Sequence, residues 1–145
     1  MDESPSRGYS DEKAARALRR VNLRPTRQRL ALCRLLYGRG NRHVTAEVLH
    51  GEARDLNLSV SLATIYNTLH QLTAAGLLRQ VIVDGAKIYF DTNTSDHPHY
   101  FLQEDGALSD VPGGGVRIDG LPEPPPGTEI ERVDVVVRLR HKRSS

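Results

Sequence analysis

Three histidines and one aspartate in this chain have the chemistry of metal ligands. His97-Pro98-His99 sets two imidazoles on one side of an extended segment, because side chains alternate with period two along such a chain. Pro98 assists, since the residue before a proline is pushed toward extended backbone angles. Asp91 ends a β-rich run just upstream, and His43 falls in a loop ahead of a helical stretch. Imidazole nitrogens and a carboxylate make a mixed N/O donor set suited to a first-row divalent ion: Zn, Fe(II) or Mn. An H-x-H pair alone is weak evidence and more often marks two solvated histidines, so the elements that carry these residues decide what the set is for. His50, His70 and His141 have no comparable company and are assigned no role.

Residues 59–78 form the most informative of those elements. Leu62, Ile65, Leu69 and Leu72 recur at helical spacing on one side, while Ala63, Thr64, Asn67 and Gln71 share the other and Tyr66 lies at the boundary. A solvated helix face normally carries Lys and Glu. A helix that enters the DNA major groove needs short side chains and amide or hydroxyl groups against base edges. Ser59 or Ser61 can cap its start, and Gly76 can take the left-handed position that ends it.

Charge points the same way. The chain is only +2 overall, yet residues 1–50 carry 11 Lys/Arg against 5 Asp/Glu, and no acidic residue falls between Glu12 and Glu47. That block is almost all Arg, which suits planar contacts to phosphate and groove edges. A charge run is usually a solvated face; beside a polar-faced helix it favours DNA.

Three more helices and a hairpin complete the frame. Ser10 and Asp11 open a helix running to about Val21. Thr26 caps a second, with Leu30, Cys33 and Leu36 on one face. Thr45 caps a third, with Leu49, Ala53 and Leu56 inward and Val44 placed to staple it. Leu78 to Val83 and Lys87 to Asp91 are β-rich runs around the turn signal Asp84-Gly85-Ala86. Helices followed by a two-stranded hairpin are the winged-helix layout. One cysteine excludes an internal disulfide, and Cys33 reads as a small buried residue. Neither terminus has an apolar run long enough for a signal peptide or membrane span, which sets the expectation of a cytoplasmic protein.

After Asp91 the composition shifts. Thr92 to Asp96 is a polar connector, Tyr100 to Gln103 a short strand closed by Glu104-Asp105-Gly106, and residues 112–127 hold five prolines and five glycines. From Arg132, Val133, Val135, Val137 and Leu139 alternate with polar residues as a half-buried strand. A sheet this small is marginal alone and should pair with a second copy. The resulting expectation is an α+β chain. It has a flexible N-terminal arm (1–15), a winged helix-turn-helix domain (16–91) and a small β-rich dimerisation and metal-sensing domain (92–145).

Leu23-Arg24-Pro25-Thr26-Arg27-Gln28-Arg29, His43-Val44-Thr45-Ala46-Glu47, Ser61 through Leu69 and the H-x-H after the wing resemble the ferric uptake regulator (Fur) family over roughly residues 16 to 103. Leu121-Pro122-Glu123-Pro124-Pro125 and Val133 through Arg140 are similar to its iron response regulator branch. The resemblance implies a homodimeric transcription factor, of repressor type, that controls iron and haem homeostasis genes. It would bind an AT-rich palindromic operator and respond to metal or haem. His43, Asp91, His97 and His99 match the regulatory metal site, Arg24, Arg29, Tyr66 and Asn67 match positions near DNA, and His97 or His99 could serve as a haem axial ligand. A family regulator of manganese, zinc or peroxide responses is the alternative. There are departures: the family's paired C-x-x-C motifs are missing, Cys33 is not followed by proline, and Pro98 interrupts the run of histidines seen in the branch. The family's second metal site uses an Asp where Pro98 stands and later ligands, and no histidine follows here until His141, so one metal ion per subunit is expected, not two. Two readings from other classes are a metal-free winged-helix interaction module and a metallohydrolase. The latter would need a general base beside the site and a substrate pocket; Glu47 lies one helical turn past His43, but helix capping explains it more cheaply.

Overall fold

The computed structural model describes residues 9–84, 87–113 and 116–143. It divides into two compact units, residues 1–94 and 95–145.

In the first unit, α1 (Asp11–Arg20), α2 (Arg27–Tyr37), α3 (Ala46–Asp55) and α4 (Leu62–Ala74) accompany a three-stranded sheet of β1 (His43–Val44), β2 (Arg79–Asp84) and β3 (Lys87–Asp91), ordered β1-β3-β2. Each helix begins where a hydroxyl caps it. The side chains of Ser10, Thr26, Thr45 and Ser61 accept from the amides of Lys13, Arg29, Val48 and Thr64, satisfying donors that the helix itself leaves open. Three helices end alike. Asn22, Asn57 and Gly76 take left-handed φ of 63°, 59° and 80°, and the next leucine donates back to the last turn: Leu23 to Leu18, Leu58 to Ala53 and Leu77 to Leu72.

The third of those endings was anticipated at Gly76; the second corrects an expectation. Leu56 does not face inward and is 59% exposed. Asn57 reverses the chain, so Leu58 packs on the core in its place. Leu18, Leu32, Leu36, Leu49, Ile65 and Phe90 are fully buried at the centre of that core. Cys33 is buried there as expected, and burial of its thiol pushes its pKa up to about 11. The first helix also corrects the N-terminal arm: Asp11 to Ala15 are helical and Ala14 is fully buried, so residues 11–15 belong to the head. Residues 1–8 of that arm, and Gly85-Ala86 of the expected turn, lie outside the described residues.

In the second unit, β4 (His99–Leu102) lies between β5 (Ala107–Asp110), antiparallel, and β6 (Val136–Leu139), parallel. β4 starts one residue earlier than expected. The last strand starts at Val136, not Arg132, and Val133 is exposed. A parallel partner must arrive by a crossover, and here the Pro/Gly-rich segment supplies it. The boundary between units falls after Thr94 rather than Asp91 because Thr92 remains bound to the head. Its amide donates to the Arg42 carbonyl (3.0 Å), and its hydroxyl accepts from the Arg42 amide (2.8 Å).

Candidate functional site

The four expected ligands fall into two groups, one in each unit. In the head, His43 is not in a loop: it lies in β1, directly opposite Asp91 of β3. Its Nε2 is 3.0 Å from Asp91 Oδ2, and the Asp91 side chain is fully buried. Local chemistry holds this pair. Arg42 fixes the start of β1 through a bidentate pair with Glu52 (3.0 and 2.6 Å) and a bond to the Leu35 carbonyl (2.7 Å). Asp91 Oδ1 accepts from the Asn93 amide at 2.9 Å, which orients the carboxylate.

In the second unit the H-x-H geometry holds as expected, with the His97 and His99 rings 4.4 Å apart. Sequence reasoning missed their companion, Asp110. Its Oδ1 lies 3.0 Å from His97 Nε2 and 3.6 Å from His99 Nε2. A signal for it existed. If Glu104-Asp105-Gly106 closes a hairpin with Leu102 opposite Ala107, counting back along both strands puts Asp110 opposite His99.

These donors fit a cation. His97 Nδ1 lies 2.6 Å from the Ser95 carbonyl oxygen while Nε2 faces the Asp110 carboxylate. A neutral imidazole has one N–H, so with Nδ1–H committed to Ser95 its Nε2 lone pair meets a carboxylate oxygen. Only a proton or a metal ion between them reconciles that contact, and a carbonyl on the far nitrogen is the usual outer partner of a ligating histidine.

The two faces of α4 are laid out as their spacing required. Ile65, Leu69 and Leu72 are buried, Leu62 is partly so, and Ala63, Asn67 and Gln71 are exposed. Thr64 is half-buried and takes a bond from the Ser61 hydroxyl at 2.9 Å. Tyr66 is half-buried, and its hydroxyl donates to Glu47 Oε1 at 2.6 Å. That bond, with Glu47's own amide and Lys87 as lesser contributors, holds the Glu47 carboxyl below the usual carboxylate range, and it pushes the Tyr66 phenol up. Glu47 is thus more than a capping group, and the carboxylate a hydrolase would need as base is engaged elsewhere. His70, left without a role, stacks on Tyr66 (6.3 Å between centroids) and meets the Phe90 ring edge-on at 5.7 Å. Arg24 is exposed. Arg29 is partly buried and donates to the Arg24 carbonyl (2.8 Å) and to Gln71 Oε1 (3.1 Å).

A winged-helix head joined to a small sheet with its own histidine–carboxylate cluster is a defined class of two-part α+β protein. Residues 20–113 match the model of the Ferric uptake regulator family, and the chain belongs to that family. It is 33% identical over 98 residues to the transcriptional regulator FurA of Mycobacterium tuberculosis, a match covering 67% of this chain and 65% of that protein. To the ferric uptake regulation protein of Escherichia coli K12 it is 34% identical over 86 residues, 59% of this chain and 57% of that one. The matches therefore span less than two thirds of these relatives' length, 65% and 57%. Among solved structures, the fold is shared with the ferric uptake regulator of Pseudomonas aeruginosa determined with manganese (TM-score 0.67, 23% identity, 90% of this chain and 98% of that one). It is shared as well with that of Vibrio cholerae (TM-score 0.69, 20% identity, 88% and 98%).

Proposed function

We propose that this protein is a cytoplasmic, homodimeric, metal-responsive transcriptional regulator of repressor type that binds operator DNA and is not an enzyme. The observation that carries the reading is the uncharged, exposed Ala63–Asn67–Gln71 face of α4, set on a head that also carries the Arg-rich stretch without acidic residues between Glu12 and Glu47. Two such heads would place their α4 helices in successive major grooves of an AT-rich palindrome, with Arg24 on phosphate. Pairing through the second unit is favoured by its exposed Val116, Ile118, Leu121, Ile130, Val133 and Leu139, apolar surface that a second copy would cover. Among the described residues no helix is long and apolar enough to cross a membrane.

One divalent ion per subunit (Fe, Mn or Zn) would be held by His43, Asp91, His97 and His99, with Asp110 as the added carboxylate. The second unit would supply three of these donors and the head two, and the short connector tethers one set to the other. Bound there, an ion would supply a positive centre, and it could change DNA affinity only by binding one conformation of the protein more tightly than another. The finer reading, control of iron and haem homeostasis, rests on the tail's similarity to the iron response regulator branch. Haem would take its axial ligand from His97 or His99 and so compete with the ion.

The test is operator binding by apo, metal-loaded and haem-loaded protein at fixed salt. A sequence-specific affinity that changes on loading supports the reading; affinity equal for operator and random DNA in every state refutes it.

A further inference from the structure

Glu47 and Tyr66 form a pair outside the ligand set. Glu47 is the first acidic residue after Glu12, and it stands in the first turn of α3. A carboxylate on an arginine-rich head that binds DNA opposes phosphate contact, so what its side chain holds decides its effect there. That partner is Tyr66. A phenol has one proton, and Tyr66 gives it to Glu47 Oε1 across 2.6 Å, which leaves only lone pairs on the hydroxyl oxygen for any further partner. The ring cannot readily turn away, because His70 stacks on it and Phe90 backs His70. In the major groove the donors are the amino groups of adenine and cytosine; guanine N7 and O6 and thymine O4 are acceptors.

We propose that Glu47 is a specificity-positioning residue. By accepting the hydrogen bond of the Tyr66 hydroxyl it makes that side chain an obligate acceptor toward any further partner, which selects an adenine or cytosine amino group at the base Tyr66 faces. This rests on α4 being the recognition helix, as proposed above.

Selection of full-length protein, with Mn(II) present, on a randomised duplex DNA library tests it. Wild type should enrich a motif with one adenine- or cytosine-specific position per half-site. Tyr66→Phe and Glu47→Ala should each flatten that position by about tenfold and leave the others unchanged. The double variant should be no worse than Tyr66→Phe alone, since Glu47 acts through the phenol. Glu47→Gln should retain the preference, because its amide oxygen still accepts the proton. A role confined to folding would instead weaken every position together in Glu47→Ala. That result, an unchanged motif in Glu47→Ala, or a further loss in the Tyr66→Phe background would overturn the inference while leaving sequence-specific binding standing. A wild type that enriches no motif would overturn the recognition-helix reading and this inference with it.

Discussion

Arg24 and Arg29 stand five residues apart in one motif, yet their side chains have different work. Arg29 commits its guanidinium to the Arg24 carbonyl and to Gln71 on the exposed face of α4, while Arg24 extends from the surface. Arg24→Ala should therefore weaken binding to all DNA and lower the salt slope by about one unit, as expected for one lost phosphate contact. Arg29→Ala should also release Gln71 and reduce discrimination between operator and random DNA. Anisotropy titrations across a salt series read both quantities, and identical behaviour of the two variants would contradict the assignment. The ligand residues give a second prediction. His97→Ala with His99→Ala should abolish stoichiometric metal uptake and any haem Soret shift. Circular dichroism of the same sample separates lost ligation from lost fold, because His99 is buried in its sheet. Haem binding that survives the double substitution would move the sensor elsewhere.

The second helix illustrates how an element sets the chemistry of its residues. Cys33 lies on its buried face among Leu32, Leu36 and the Tyr9 and Tyr37 rings, which are 5.7 Å apart. Burial raises the thiol from an ordinary 9.0 to about 11, and burial likewise pushes both phenols above their ordinary 10.0. A group whose pKa is raised by folding holds its proton more tightly in the native state. Its contribution is complete below the unfolded value and is lost as pH rises through the folded one. Stability should thus fall from pH 9.0 upward, Cys33 first and the tyrosines beyond 10.0. In urea denaturation, Cys33→Ala should flatten the first part of that decline. The same burial should leave the wild-type thiol unreactive toward alkylating agents at pH 8 until the head unfolds.

At the scale of the molecule, the head carries its own core, drawn from residues 14 to 90, whereas the second unit is a three-stranded sheet with several exposed aliphatic side chains. A chain ending at Thr94 should consequently fold but sediment as a monomer. It should also lose most of its operator affinity, since linking two heads turns the second contact into an intramolecular one. Dimers of that truncated chain would place the pairing surface in the head.

Local chemistry was legible in the amino-acid order. Caps at Ser10, Thr26 and Thr45, the buried stripe of α4, the left-handed Gly76 and the matched His97 and His99 rings follow from hydroxyl position, periodicity and backbone preference over a few residues, while the structure chose Ser61 over Ser59 as the cap of α4. Partners distant along the chain were not. His43 opposite Asp91, Asp110 beside the imidazoles, Glu47 under Tyr66 and Arg29 on Gln71 depend on which strands pair, in which register, and how helices pack. The exposure of Leu56 and the late start of β6 belong with them: alternation or helical spacing marks a face as apolar, but only the assembled core determines whether anything covers it. Periodicity is a property of neighbours in sequence, whereas a ligand set is a property of loop closure and register, and those are settled by the tertiary fold.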